Sequence, residues 1–266
     1  MQRPTIGFIG LGAMGEPMAA RLLDAGFRVV SSINRSRDAI ERLAAKGIEE
    51  LGTPREVGEH ADILMTIVWD EEQTDRVLCG EDGALSTLRE GAIVVVMSTM
   101  SPVYCQALAR EVASQRVDVI DCPVSGLVAG AREGTLTLMA GGDAATIDRC
   151  REAFDVLGTT MHCGGVGAGQ AMKIGNNAIA LGTWALVQEV REVVGAYGME
   201  LDRFMEILNV STGRSFVSKN FPMPRRRVTW PAMPVKDLSL CLDVAREFDV
   251  EAPLVKASLD SGQPEA

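Results

Sequence analysis

Histidine is almost absent from this chain: 266 residues hold two, His60 and His162. The surrounding pattern puts one at a helix end and the other at a strand end. A Ser-His-Asp triad or a histidine-based metal site therefore has little material to draw on. Six cysteines occur (Cys79, Cys105, Cys122, Cys150, Cys163 and Cys241), but they are scattered and form no C-x-x-C pair. That spacing argues against a disulfide framework and against a zinc site, so no metal is expected. Positive charge is in deficit, with a net charge of −10. Nucleic acid and anionic membrane surfaces are thereby disfavoured as general partners, while a small anion in a locally basic pocket is not. No apolar run is long enough to span a bilayer, and no charged-then-apolar leader precedes the first strand. A cytoplasmic protein with no membrane partner is the expectation.

What is present is concentrated at the start, in TIGFIGLGAMGEPMAARLLDAGFRVVSSINRSRD. Ile6 to Ile9 reads as a short buried strand. Gly10, Leu11, Gly12, Ala13, Met14 and Gly15 follow, with the glycines in G-x-G-x-x-G spacing. A helical pattern, Met18 to Leu23, stops at Gly26, and a second strand runs from Arg28 to Ile33. Within that strand–turn–helix–strand order each glycine has a physical reason: one makes the tight turn, one lets backbone approach a pyrophosphate closely, and one lets helix pack on strand. The helix N-terminus supplies free N–H groups and a positive dipole end for the phosphates.

The end of the second strand selects the cofactor. An NAD site usually places an acid there for the ribose 2′-hydroxyl. Here the residues are Asn34, Arg35 and Ser36, followed by Arg37, and the first acid is Asp38. Arg35 is suited to a 2′-phosphate, and Ser36 adds a hydroxyl donor. NADP(H) is expected over NAD(H). The bland alternative is that Arg35 and Arg37 merely open the next helix in solvent.

Strand-like and helix-like segments alternate through the first 160 or so residues, which argues for an α/β domain with a mainly parallel sheet. Strands are expected at 61–68, 92–97, 117–121, 135–140 and 159–163, and helices at 54–59, 101–115 and 143–157. A glycine cluster from Gly164 to Gly169 then introduces helical segments at 170–197, 200–210 and 236–247. Two domains are expected, 1–163 of dinucleotide-binding type and 164–266 all-helical. Phe221 to Pro234, with four prolines, reads as irregular loop. Arg225 to Arg227 within it reads as a solvated run, and the tail from Ser258 as poorly structured.

Two further segments bear chemistry. In DCPVSG the Ser125–Gly126 turn follows a strand and can offer a hydroxyl and backbone N–H groups to a carboxylate. In GAGQAMKIGNN, Lys173 and Asn177 lie four apart on a helix and share a face. A lysine in a partly apolar cleft loses hydration and becomes more acidic, which suits general acid–base work. Taken from the helix alone, a snorkelling surface lysine is the simpler reading. Lys236–Asp237 opens the last expected helix, where Asp237 complements the N-terminus and Lys236 is able to reach cofactor or substrate.

Four motifs in order resemble the β-hydroxyacid dehydrogenase family, which includes 3-hydroxyisobutyrate dehydrogenase and tartronate semialdehyde reductase and is more distantly similar to 6-phosphogluconate dehydrogenase. They are GFIGLGAMGEPMAARLL, DCPVSGLVAGAREGTLTLMAGG, GAGQAMKIGNN and MPVKDLSLCLDVARE. The resemblance covers nearly the whole chain. It implies a Rossmann-type domain followed by an all-α domain, and interconversion of a small hydroxy acid and its semialdehyde or keto acid. It makes Lys173 the general acid/base. Ser125, Gly126 and Asn177 become substrate contacts, and Thr99 and Lys236 lie toward the nicotinamide. The mostly apolar helix at 170–197 is expected to pack on a second copy, giving a homodimer or homotetramer.

The chain departs from the family pattern in carrying Leu127 at the third place of a Ser-Gly-Gly turn, and Trp69–Asp70 after the fourth strand. It also ends soon after the Lys-Asp helix, so a shortened second domain is expected. An imine reductase, which usually lacks the helix lysine, and a noncatalytic NADP-binding scaffold are the competing readings.

Overall fold

Short apolar runs separated by amphipathic segments have one economical solution, a parallel sheet covered on both faces. The computed structural model describes residues 3–33, 37–220 and 231–262 and adopts that solution in the first of two compact units, which divide at Lys173 and Ile174. The chain runs β1 (Ile6–Ile9), α1 (Gly15–Asp24), β2 (Val29–Ser32), α2 (Asp38–Ala44), β3 (Glu49–Leu51), α3 (Pro54–His60), β4 (Ile63–Thr66), α4 (Glu71–Leu78), β5 (Ile93–Val96) and α5 (Pro102–Val112). It continues through β6 (Asp118–Asp121), β7 (Val124–Ser125), α6 (Leu127–Glu133), β8 (Leu136–Gly141), α7 (Ala144–Arg149), α8 (Arg151–Leu157) and β9 (Gly158–Gly164).

The sheet order is β3-β2-β1-β4-β5-β6-β8-β7, with β9 on β8. The first six strands are parallel. β8 runs antiparallel to β6 and β7, and β9 lies parallel to β8. The first six strands follow the Rossmann order, which reverses between β1 and β4 and opens a crevice at the C-terminal strand ends.

Alternation along the strands sorts the core into two layers. Ile6, Phe8, Ile63, Met65, Ile93 and Val95 face Met18, Ala19 and Leu22 of α1. Ile9, Leu64, Val94 and Val96 face Val57 of α3 and Cys105, Leu108 and Val112 of α5. Every residue of β1, β2, β4 and β5 is buried. Each fully buried aliphatic side chain stabilises by about 1.5–3 kcal/mol, so these runs decide where the strands form.

The second unit contains most of α9 (Ala168–Ala196), then α10 (Leu201–Leu208), α11 (Phe216–Asn220), α12 (Ala232–Glu247) and α13 (Pro253–Ser261). No helix among the described residues is long and apolar enough to cross a membrane.

Several expectations need correction. The helix expected at 143–157 is two helices, α7 and α8, broken at Cys150, whose N–H bonds the Ile147 carbonyl three residues back. Residues 221–230 lie outside the described residues, Arg225 to Arg227 among them. Ala232 to Pro234, expected as loop, are the first turn of α12 instead; proline is tolerated there because its missing N–H has no helical partner to lose. Ser258 to Ser261 belong to α13 rather than to an unstructured tail. Lys236–Asp237 therefore sits in the second turn of α12, not at the start of a final helix.

Candidate active site

The loop from Gly10 to Gly15 joins β1 to α1 at the crevice where the sheet order reverses. Gly10 has φ +105°, and a Cβ there would overlap the Ile67 carbonyl oxygen. A Cβ on Gly15 would overlap the Gly10 carbonyl oxygen. Gly12 differs: a Cβ would meet nothing within 4 Å. The first and last glycines are thus demanded by the fold, whereas the middle one faces open space. Helix α1 also begins without a side-chain cap, at Met14. Thr53, Asp70, Ser101 and Asp143 cap α3, α4, α5 and α7. An uncapped N-terminus beside an open glycine is the cradle that a pyrophosphate fills, and the residues fit a dinucleotide.

Asn34, Arg35 and Ser36 lie outside the described residues. Arg37 is engaged: its guanidinium makes a two-pronged pair with Glu50 at 2.9 and 2.8 Å on the exposed side of β3.

The C-terminal strand ends are tied together by buried polar groups, of which Asp121 and Gln170 lie inside the quoted motifs but were given no role there. The Ser98 hydroxyl, after β5, accepts from the Val68 N–H after β4 at 2.8 Å. Gln170, fully buried in the first turn of α9, accepts from the Met100 N–H at 3.0 Å and donates to the Ser98 carbonyl at 2.8 Å. Asp121, the last residue of β6 and also fully buried, accepts from the N–H groups of Gly167 at 2.6 Å and Gln170 at 2.7 Å. Burial pushes the Asp121 carboxyl above its ordinary range, and these backbone donors offset only part of that rise. Four N–H groups at a helix start lack helical partners, and a carboxylate there also complements the dipole. Gly169 makes the close approach possible, since a Cβ there would overlap the Met139 carbonyl oxygen. Thr99 lies between the two residues that Gln170 holds, and Lys173 lies one turn beyond Gln170.

Ser125 ends β7, and Gly126 takes φ +138° at the start of α6. Leu127 has φ +60° and is 52% exposed. A leucine in left-handed backbone costs about 1–2 kcal/mol, and here its side chain projects from the turn proposed to take a carboxylate.

In the second unit the Asn177 side-chain amide donates to Asp237 Oδ2 at 2.8 Å. Asn176 donates to Asn177 Oδ1 at 3.1 Å. Asp237 is buried and fixes this amide rather than complementing a helix end. Among the expected site residues, the glycine loop, Thr99, Ser125, Gly126 and Lys173 belong to the first unit, and Asn177 and Lys236 to the second. No group of three histidine, cysteine or acidic side chains able to hold a metal gathers among the described residues.

This fold, with an uncapped glycine-loop helix at the switch point, is that of a dinucleotide-binding protein. Residues 5–165 match the family model described as the NAD binding domain of 6-phosphogluconate dehydrogenase. Residues 167–260 match that described as NAD-binding of NADP-dependent 3-hydroxyisobutyrate dehydrogenase. The 2-hydroxy-3-oxopropionate reductase of Escherichia coli is 35% identical over 260 residues, covering 93% of this chain and 86% of that protein. A probable mitochondrial 3-hydroxyisobutyrate dehydrogenase of Dictyostelium discoideum is 34% identical over 261 residues, covering 92% of this chain and 80% of that protein. The 3-hydroxyisobutyrate dehydrogenase of Mycobacterium tuberculosis, solved with L-serine, superposes with a TM-score of 0.85 at 28% identity, over 97% of this chain and 92% of that one. The chain belongs to the β-hydroxyacid dehydrogenase family, oxidoreductases of small hydroxy acids and their semialdehydes.

The glycine geometry separates fold from binding. Gly12→Ala is expected to leave the melting temperature unchanged and to weaken dinucleotide affinity about tenfold or more, because the methyl enters the pyrophosphate cradle. Gly10→Ala is expected to lose about 2 kcal/mol of stability or more, from strain and overlap. Thermal melts and a reduced-cofactor fluorescence titration check both.

Proposed function

We propose that this protein is an NADP(H)-dependent oxidoreductase that interconverts a small hydroxy acid and its semialdehyde or keto acid, with Lys173 as general acid/base. Bound nicotinamide supplies the hydride in reduction and accepts it in oxidation. In reduction the Lys173 ammonium gives a proton to the substrate carbonyl oxygen; in oxidation the neutral amine takes it from the hydroxyl. Ser125 and Gly126 hold the substrate carboxylate, Asn177 bonds a substrate oxygen, and Thr99 and Lys236 serve the nicotinamide side. The observation that carries this reading is the anchoring of α9 by Asp121 and Gln170. It supports a Lys173 held at the C-terminal strand ends, the same end of the sheet as the glycine loop.

NADP(H) is preferred on two grounds. No acid stands at 33–37, at the end of β2 and just beyond it, and the sequence there carries Arg35, a residue type suited to a 2′-phosphate. The family model over the second half of the chain is described from an NADP-dependent enzyme. The reading keeps the protein in the cytoplasm.

A homodimer or homotetramer completes the reading. Ile179, Leu186, Val190 and Val193 of α9, and Tyr197 just past its end, are exposed at spacings of seven, four, three and four. Such a stripe on one side of a helix suits burial against a second copy.

Three measurements test this. NADPH oxidation against a panel of carboxylate-bearing aldehydes should show turnover, and Lys173→Ala should cut it by about 10²–10⁴-fold while NADPH binding is retained. Turnover surviving in that variant would overturn the mechanism; a wild-type protein that binds NADPH tightly and turns over nothing would be the noncatalytic scaffold. Arg35→Ala should raise the KM for NADPH about tenfold or more and leave that for NADH unchanged, since only the former carries the 2′-phosphate. Leu186→Asp paired with Ile179→Asp should convert the oligomer to monomer in sedimentation velocity, as two carboxylates cannot be buried in an apolar seam.

A further inference from the structure

Three regions hold unusual chemistry. The exposed stripe on α9 belongs to the assembly already proposed. Leu127 is a strained apolar residue in the carboxylate turn and belongs to the substrate contacts. The third region is the buried polar bridge between the β5 loop and the start of α9, which no step of the reaction uses.

A primary amide buried without exposure costs several kcal/mol unless both its donor and acceptor sides are satisfied. Gln170 spends one of each on a single short segment: its oxygen takes the Met100 N–H, and its nitrogen gives to the Ser98 carbonyl. These two groups flank Thr99. The amide therefore fixes the backbone on either side of that residue, as a neighbouring strand would. The same residue's backbone N–H is held by Asp121 at 2.7 Å, so Gln170 has no freedom to follow the loop. Ser98 is in turn locked to Val68 through its hydroxyl. Side chain and main chain of one residue thus join the ends of β5 and β6 to the first turn of α9, and the Ser98 hydroxyl extends the tie to the end of β4. Residues three apart on a helix are neighbours on its surface, so this junction lies directly before Lys173.

We propose that Gln170, seated by Asp121, is a positioning residue: it sets Thr99 and Lys173 in fixed register, so that the ribose-side loop and the proton donor are presented together. The inference rests on the roles proposed above for Thr99 and Lys173. It predicts that loss of the bridge loosens the alignment of reacting groups without removing any group that binds or reacts. A misplacement of about 1 Å in such an alignment can cost about 10²-fold in rate.

The test uses Gln170→Met, similar in length and without the amide, and Gln170→Glu, which keeps an acceptor for the Met100 N–H. The control is Asp143→Ala, which removes the cap of α7 away from the site. In the full-length protein without cofactor, hydrogen exchange at the Met100 amide should accelerate in Gln170→Met, less in Gln170→Glu, and not in Asp143→Ala. With NADPH and the best aldehyde of the panel, kcat of Gln170→Met should fall about ten- to a hundredfold. KM values and NADPH affinity should change by less than about threefold, since the binding groups remain. Wild-type kcat with unchanged Met100 exchange would overturn the inference, as would an equal fall of kcat in Asp143→Ala. If the wild-type protein turns over none of the panel, the functional reading falls by itself, and the exchange result still decides whether Gln170 holds the loop.

Discussion

A carboxylate with no exposed surface holds the start of the longest helix among the described residues. Asp121 takes backbone N–H groups from Gly167 and Gln170, so the end of a buried strand and the beginning of α9 share one charge. Hydrogen bonds to charged groups contribute about 1.5–3 kcal/mol each. Without them a buried carboxylate at this place would be intolerable. The direction of its acidity shift records the balance: burial pushes the carboxyl above its ordinary range, and the backbone donors offset that push only in part. Glycine at 169 follows from the same constraint, because only a residue without Cβ lets the helix come so close.

The cofactor end of the first unit is organised by omission. Helix α1 begins without a side-chain cap, as do α2, α6 and α8, but it alone of these follows Gly12, where added bulk would meet nothing. An unsatisfied helix start is a liability unless a ligand completes it. Family membership and this geometry therefore agree on a dinucleotide. The turn after β7 is of another kind: Leu127 holds a backbone conformation suited to glycine.

Much of the framework was legible in the chain itself. β1, β4 and β5 lie within the apolar runs that announced them, because a strand buried on both faces needs a continuous apolar run. β3 gave no such signal, since its Glu49 and Glu50 are exposed at the sheet edge. Helix α6 was hidden by its glycines, and the break at Cys150 between α7 and α8 leaves no mark in hydrophobic periodicity. The N-terminal turn of α12 was masked by prolines that, in a first turn, are harmless.

By itself the sequence determined the Rossmann-type half, the glycine loop, and a lysine and asparagine one helical turn apart, because each is a local pattern that neighbouring residues enforce. Tertiary structure alone decided what Asp121, Gln170 and Asp237 do. Their partners are contributed from far along the chain: Gly167 for Asp121, Ser98 and Met100 for Gln170, Asn177 for Asp237. A buried polar side chain is defined by the groups that satisfy it. Those groups meet only when the sheet is assembled and the helices have packed, so no window of sequence contains them.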